Sequence, residues 1–282
     1  MYLHYDQAGL DAQYNMRARH PDFQQIMDAG TAESQRVRTA LPAEWDVAYG
    51  DAPGQELEVF RAPAEGGPVL LFIHGGYWRA MDKTNFSFVA EHFARAGAAV
   101  VNINYALAPS VDMTEIVRQV REAVGWTYRN ISRYGGDPKR IYVSGHSAGG
   151  HLGGMCVTHD WTAEGLPADV IKGACLISGL YDLEPIRLCN INDDVRLTPA
   201  HVQALSPLHL PVTGGTPVIL AVGGDESEEF LRQTEAQYRA WLSQGVRAAH
   251  LVVPGTNHFT IISSLGDRDT MLSRYMRGQM NL

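Results

Sequence analysis

The chain has 282 residues, 45% of them hydrophobic and 19% charged, so it can bury one large core and is excluded from the disordered class. A formal net charge of −8, with no interleaving of basic and aromatic residues, excludes nucleic acid as the expected partner. The three cysteines, Cys156, Cys175 and Cys189, form no Cys-x-x-Cys pair, which speaks against zinc and a disulfide framework and for buried free thiols in a reducing compartment.

The first residues lack a basic n-region and an apolar h-region, and no apolar run reaches 18 residues. The expectation is a cytoplasmic protein with no membrane contact. Residues 1–42 are polar and read as an N-terminal helical segment, clearest over 24–38. Residues 44–49 and 56–61 alternate in strand fashion around the turn Asp51-Ala52-Pro53-Gly54, which predicts an antiparallel sheet edge. Short apolar runs follow at 69–73, 98–103, 141–143, 174–177, 218–222 and 250–253. Such runs suit strands buried on both faces. Helix-length segments separate them at 83–96, 113–130, 148–158, 228–243 and 259–277. This alternation predicts an open, mainly parallel α/β sheet in a single domain. Residues 180–207 follow a strand but keep no single period, and are read as a small cap insertion over the strand C-termini.

Gly145-His146-Ser147-Ala148-Gly149 fits G-x-S-x-G between the strand at 140–144 and a helix. That context makes Ser147 the candidate nucleophile, exposed on a strained turn whose glycines avoid collisions a Cβ would cause. His146 and His151 are read as structural. His74-Gly75-Gly76-Tyr77-Trp78 follows the strand at 69–73, and its glycines let backbone N–H groups approach a developing oxyanion. Gly75, Gly76 and Ala148 are the candidate donors.

A serine hydroxyl needs a base, and the base an orienting carboxylate. His258, across a Pro-Gly turn from the strand at 250–253, is the candidate base. His250 lies within that strand, and His201 and His209 lie in or beside the cap. The loop after the strand at 218–222 reads Gly223-Gly224-Asp225-Glu226-Ser227-Glu228-Glu229 and offers Asp225 and Glu226 as the acid. Acids at a helix N-terminus are also expected on dipole grounds alone.

The His74–Trp78 stretch together with Gly145-His146-Ser147-Ala148-Gly149-Gly150 resembles the kynurenine formamidase (arylformamidase) branch of the α/β-hydrolase superfamily, close to the hormone-sensitive-lipase-like esterases. The resemblance extends to Tyr14-Asn15-Met16-Arg17-Ala18-Arg19, to Ser178-Gly179-Leu180-Tyr181-Asp182-Leu183-Glu184-Pro185 and to Glu228-Glu229-Phe230-Leu231-Arg232-Gln233. It implies the α/β-hydrolase fold over residues 1–282, with helices on both faces of the sheet, Ser147 as nucleophile and His258 as base. The family acid lies just before a Ser-x-Glu-Phe stretch. Matching that to Ser227-Glu228-Glu229-Phe230 implies Glu226, a glutamate where aspartate is usual, with Asp225 one position away.

The expected chemistry is acyl transfer on a small-molecule substrate. The resemblance implies an aryl formamide such as N-formylkynurenine, and small carboxylic esters are the alternative. A non-catalytic binding protein of the same fold is the alternative of another class. Tyr77, Trp78, Tyr181 and Phe259 are the candidate wall residues and favour an aromatic or apolar substrate, and no cationic cluster demands an anionic one. With no His-Glu-x-x-His pair and no aspartate cluster, neither a metal nor an organic cofactor is expected. A monomer and a homodimer are both compatible with the sequence.

Overall fold

The computed structural model describes residues 2–282. Its centre is an eight-stranded sheet: β1 (Ala43–Ala48), β2 (Glu56–Phe60), β3 (Gly67–Ile73), β4 (Ala99–Ile103), β5 (Gly136–His146), β6 (Ile171–Ile177), β7 (Val218–Gly223) and β8 (Ala248–Val253). The spatial order is β1-β2-β4-β3-β5-β6-β7-β8. β1 and β2 are antiparallel to their neighbours and every later pairing is parallel. β4 and β7 are buried along their whole length, as near-continuous apolar strands between two helical layers must be.

The helices are α1 (Gln7–Tyr14), α2 (Met16–Arg19), α3 (Phe23–Ala40), α4 (Ala90–Arg95), α5 (Met113–Asn130), α6 (Ala148–Val157), α7 (Glu184–Leu188), α8 (Asn192–Val195), α9 (Pro199–Leu205), α10 (Glu228–Ser243), α11 (Ile261–Gly266) and α12 (Met271–Met280). Two expected helices are broken. Residues 83–96 begin as a 3-10 turn over Lys83–Val89 and become α-helical only in α4. Asp82 caps Thr84 N–H, and the Asn85 side chain reaches back to the Asp82 N–H, which tightens the first turns. Residues 259–277 divide into α11 and α12, because Asp267 ends the first helix on Ser263 and Thr270 caps the second by accepting from Ser273 N–H.

The chain runs from β3 out to β4 and then returns to β5 on the other side of β3. That reversal opens a crevice above the strand C-termini, where ligands of such sheets bind. In register, Ile73 faces Gly145 and His146 faces Ile177. The loops leaving β3, β5 and β6 therefore emerge side by side. Residues 180–207 become the short helices α7 to α9, and α1 is bonded to them at the crevice mouth, where Gln7 Nε2 donates to Leu188 O and Asp11 accepts from Asn190 N–H.

Candidate active site

Ser147 stands between β5 and α6 at φ 57° and ψ −118°, a conformation L-residues rarely adopt. The surroundings enforce it. A Cβ on Gly145 would lie 2.2 Å from Gly149 O, and one on Gly149 would lie 2.0 Å from Ile73 O. Ser147 N–H is tied to Ile177 O at 2.8 Å, which locks the turn to the end of β6.

His258 Nε2 lies 3.0 Å from Ser147 Oγ, and its Nδ1–H donates to Glu226 Oε2 at 2.7 Å. The second oxygen, Glu226 Oε1, accepts from Gly223 N–H at 2.8 Å and from the Ser178 hydroxyl. Each Glu226 oxygen is thus occupied in a buried setting, which fixes the carboxylate that fixes the imidazole. Asp225 is exposed and its backbone turns away to Thr256 O. Of the two acids open in the sequence, Glu226 is the one joined to His258. Ser178 escapes the sequence reading. Its signal is a Ser-Gly pair at the end of a strand, and its role depends on a left-handed backbone at φ 50° that no pattern displays.

The imidazole of His258 is boxed by rings. Phe230 lies 4.4 Å away between centroids, His146 4.8 Å and Phe259 5.5 Å. Burial holds His146 well below the ordinary imidazole range, and the neighbouring His258 adds to the shift. His146 is therefore a neutral packing partner for His258. His151 is also neutral: burial lowers it to about 4. Its Nε2–H donates to Leu205 O at 2.7 Å, which leaves Nδ1 to accept from Trp78 Nε1–H at 3.2 Å.

The loop after β3 runs against the nucleophile. A Cβ on Gly75 would stand 3.1 Å from Ser147 Cβ, and Gly76 sits at φ 110° with Ala80 O 2.1 Å from the place a Cβ would occupy. Among the described residues, the N–H groups of Gly75, Gly76 and Ala148 donate to no protein acceptor. Ala148 N–H is one of the unpaired donors at the start of α6.

A cavity of about 690 Å³ opens onto Ser147 and His258. Tyr77 and Phe259 line it. Trp78 and Tyr181 do not, and this corrects their reading as wall residues. Trp78 is turned into the core by its bond to His151, and Tyr181 packs in a separate cluster with Trp241 and Leu176. Further walls come from the N-terminal segment, including Tyr14, Arg17 and Phe23, and from Asn190, Ile191, Asp193 and Asp194, with Arg79 to Met81 beside them. The sequence reading placed the second group over the site but gave no such role to the first. Nothing in residues 1–42 has the strand-end position that marks a site residue in this class of sheet.

Residues 57–171 match the BD-FAE family model. A kynurenine formamidase of Danio rerio is 34% identical over 250 residues, covering 86% of this chain and 84% of that protein. A crystal structure from Silicibacter sp., assigned provisionally as a thioesterase, is 29% identical and superposes with a TM-score of 0.84 over 94% of this chain and 97% of that one. An esterase of Pyrobaculum calidifontis shares the fold at 20% identity, with a TM-score of 0.73 over 92% and 93% of the two chains.

Proposed function

The chain belongs to the kynurenine formamidase family of α/β-hydrolases, and from that premise we propose that it hydrolyses an aryl formamide such as N-formylkynurenine through a formyl-enzyme on Ser147. The observation that carries the proposal is the unbroken hydrogen-bonded series from Ser147 through His258 to Glu226, buried at the floor of the cavity.

His258 takes the Ser147 proton as Oγ attacks the formyl carbon. The carbonyl π pair moves to oxygen, where the Gly75, Gly76 and Ala148 N–H groups receive the developing charge. Glu226 holds the imidazolium in place. The oxyanion then collapses, the C–N bond breaks, and His258 gives its proton to the departing arylamine. Water, deprotonated by the same imidazole, attacks the formyl ester; the adduct collapses, the C–Oγ bond breaks, Ser147 Oγ takes back the proton from His258, and formic acid leaves and ionises to formate. Both proton transfers of acylation and both of deacylation pass through His258 Nε2. Tyr77, Phe23 and Phe259 supply apolar and aromatic surface for the aryl group. Cys156, Cys175 and Cys189 are all free and buried, which supports a reducing, cytoplasmic setting.

The test has two parts. Ser147 should be labelled by a fluorophosphonate probe, and Ser147→Ala should abolish labelling in a folded protein. N-formylkynurenine should then be turned over with a higher kcat/KM than short p-nitrophenyl esters. An ester preference of about a hundredfold, near 2.7 kcal/mol in transition-state binding, would defeat the formamide assignment and leave an esterase.

A further inference from the structure

The cavity mouth carries two guanidinium groups, and they differ in state. Arg79 is paired with Asp194. Arg17, in α2, forms no ion pair among the described residues, although it lines the same cavity. Its guanidinium lies over the Phe23 ring, 4.8 Å from the centroid. Phe23 packs on Phe259 at 4.6 Å between centroids, and Phe259 stands edge-on to His258 at 5.5 Å. An aromatic lane thus leads from a cation at the mouth to the imidazole beside Ser147. With contacts of about 5 Å each, the lane holds the guanidinium within about 15 Å of the His258 ring.

A guanidinium resting on a ring face keeps its edge donors free, and that planar fork matches a carboxylate. The mouth also holds Asp193, a carboxylate without an ion pair among the described residues. A zwitterionic head group would leave neither charge unmatched.

We propose that Arg17 binds a carboxylate at the end of the substrate remote from the formamide, and so selects amino-acid-bearing aryl formamides over bare ones. This rests on the formamidase reading above. It goes beyond the expectation that no cationic cluster demands an anionic substrate, since it rests on one cation and not on a cluster. The cation belongs to the N-terminal segment, far in sequence from the catalytic motifs, and only the fold brings it to the cavity.

The experiment compares two substrates on wild type, Arg17→Met and Arg17→Lys. One is N-formylkynurenine. The other is 2-formamidoacetophenone, which keeps the aryl formamide and ketone but lacks the amino-acid end. Arg17→Met keeps an apolar stem over Phe23. The ratio of kcat/KM between the two substrates should fall about tenfold or more in this variant, the loss lying in KM, since one charge-assisted contact is removed. Arg17→Lys should recover part of the ratio, and added salt should raise the wild-type KM for N-formylkynurenine alone. An unchanged ratio overturns the assignment, whether both rates hold or both fall together. A wild-type protein that cleaves neither formamide but cleaves aryl esters overturns the formamidase reading and the inference built on it. A wild type that cleaves both formamides equally well overturns the inference alone.

Discussion

The floor and the outer wall of the cavity are held by different forces. The floor is the row of strand ends. There Ser147, Gly75, Gly76 and Ser178 are fixed by backbone geometry: a strained serine, glycines with no room for a Cβ, and carbonyls bonded across neighbouring strands. The N-terminal wall is held on by side chains. Tyr2 donates to Asp182 at 2.8 Å, Tyr5 to Glu228 at 2.9 Å and Tyr14 to Glu229 at 2.8 Å. Ser227 Oγ donates to Gln13 O at 2.7 Å and Tyr77 Oη to Tyr14 O at 2.8 Å. Three of these partners, Ser227, Glu228 and Glu229, lie at the start of α10, directly after Glu226. The wall is therefore fastened to the segment that carries the acid. A site whose chemistry is fixed by backbone and whose shape is fixed by side chains can change substrate without losing its reaction. Changes to the floor should strike kcat, and changes to the wall should strike KM and selectivity.

The largest effect tests the floor. Ser147→Ala should lower kcat by roughly 10⁴-fold or more with the fold intact, since among the described residues no second nucleophile is bonded to His258. Next comes Glu226→Gln, which should cost about 10³–10⁴-fold in kcat, because an amide no longer secures the Nδ1–H tautomer of His258. Asp225→Asn, one residue away but exposed, should stay within about twofold, as surface substitutions away from a site usually do. Steady-state kinetics on the three variants would decide it, and the reverse ranking of the two acids would move the acid to Asp225.

The same division explains what could be read from the sequence. The sheet, its eight strands and the Ser147 and His258 positions are written in local signals: apolar runs of strand length, glycines at turns, and a histidine after the last strand. The acid was legible to within one residue, and the choice required knowing which carboxylate faces inward. Ser178 and the N-terminal wall were not legible. Their roles arise from contacts between residues up to 230 apart, as in the Arg232–Tyr2 bond, which no periodicity encodes. Trp78 and Tyr181 were misassigned for the related reason that an aromatic beside a motif can face the core as readily as the cavity.

The floor should also be the acid-sensitive part. Burial lowers His74 and His151 to about 4 each, although a backbone carbonyl bonded to each ring partly opposes the shift. Asp82 and Lys83 act weakly on His74, as does Arg121 on His151. Both folded values lie below the unfolded value near 6.5, so the unfolded chain binds more protons in between. Their stabilisation is complete above pH 6.5 and is lost as pH falls toward 4, at about 1.4 kcal/mol per pH unit for each ring. Urea unfolding midpoints should drop between pH 6.5 and 5, above the range where ordinary carboxylates titrate. Buried His146 is depressed in the same direction and adds to the slope, so His151→Gln should reduce it by one ring's share, ~1.4 kcal/mol per pH unit, whatever it does to stability at pH 7. A flat profile in this window would show that the rings are not held neutral.

The smallest effect probes the wall at its best-connected point. Tyr14 Oη donates to buried Glu229 and accepts from Gln233 Nε2 at 2.8 Å, and its ring meets Phe230 edge-on at 5.8 Å. Tyr14→Phe keeps the ring and the backbone carbonyl that receives Tyr77. Glu229 does not become an orphan charge, because Arg232 still contacts both of its oxygens at 2.7 and 2.8 Å. The cost in stability should therefore be about 1 kcal/mol, near that of one hydrogen bond and below the 3–5 kcal/mol expected for breaking a buried ion pair. With the wall loosened and the floor untouched, KM for the formamide should rise a few-fold while kcat stays within about twofold, the pattern of lost uniform binding. A hundredfold fall in kcat would instead show that the wall reaches the acid through Phe230 and His258, and the two regions would have to be treated as one.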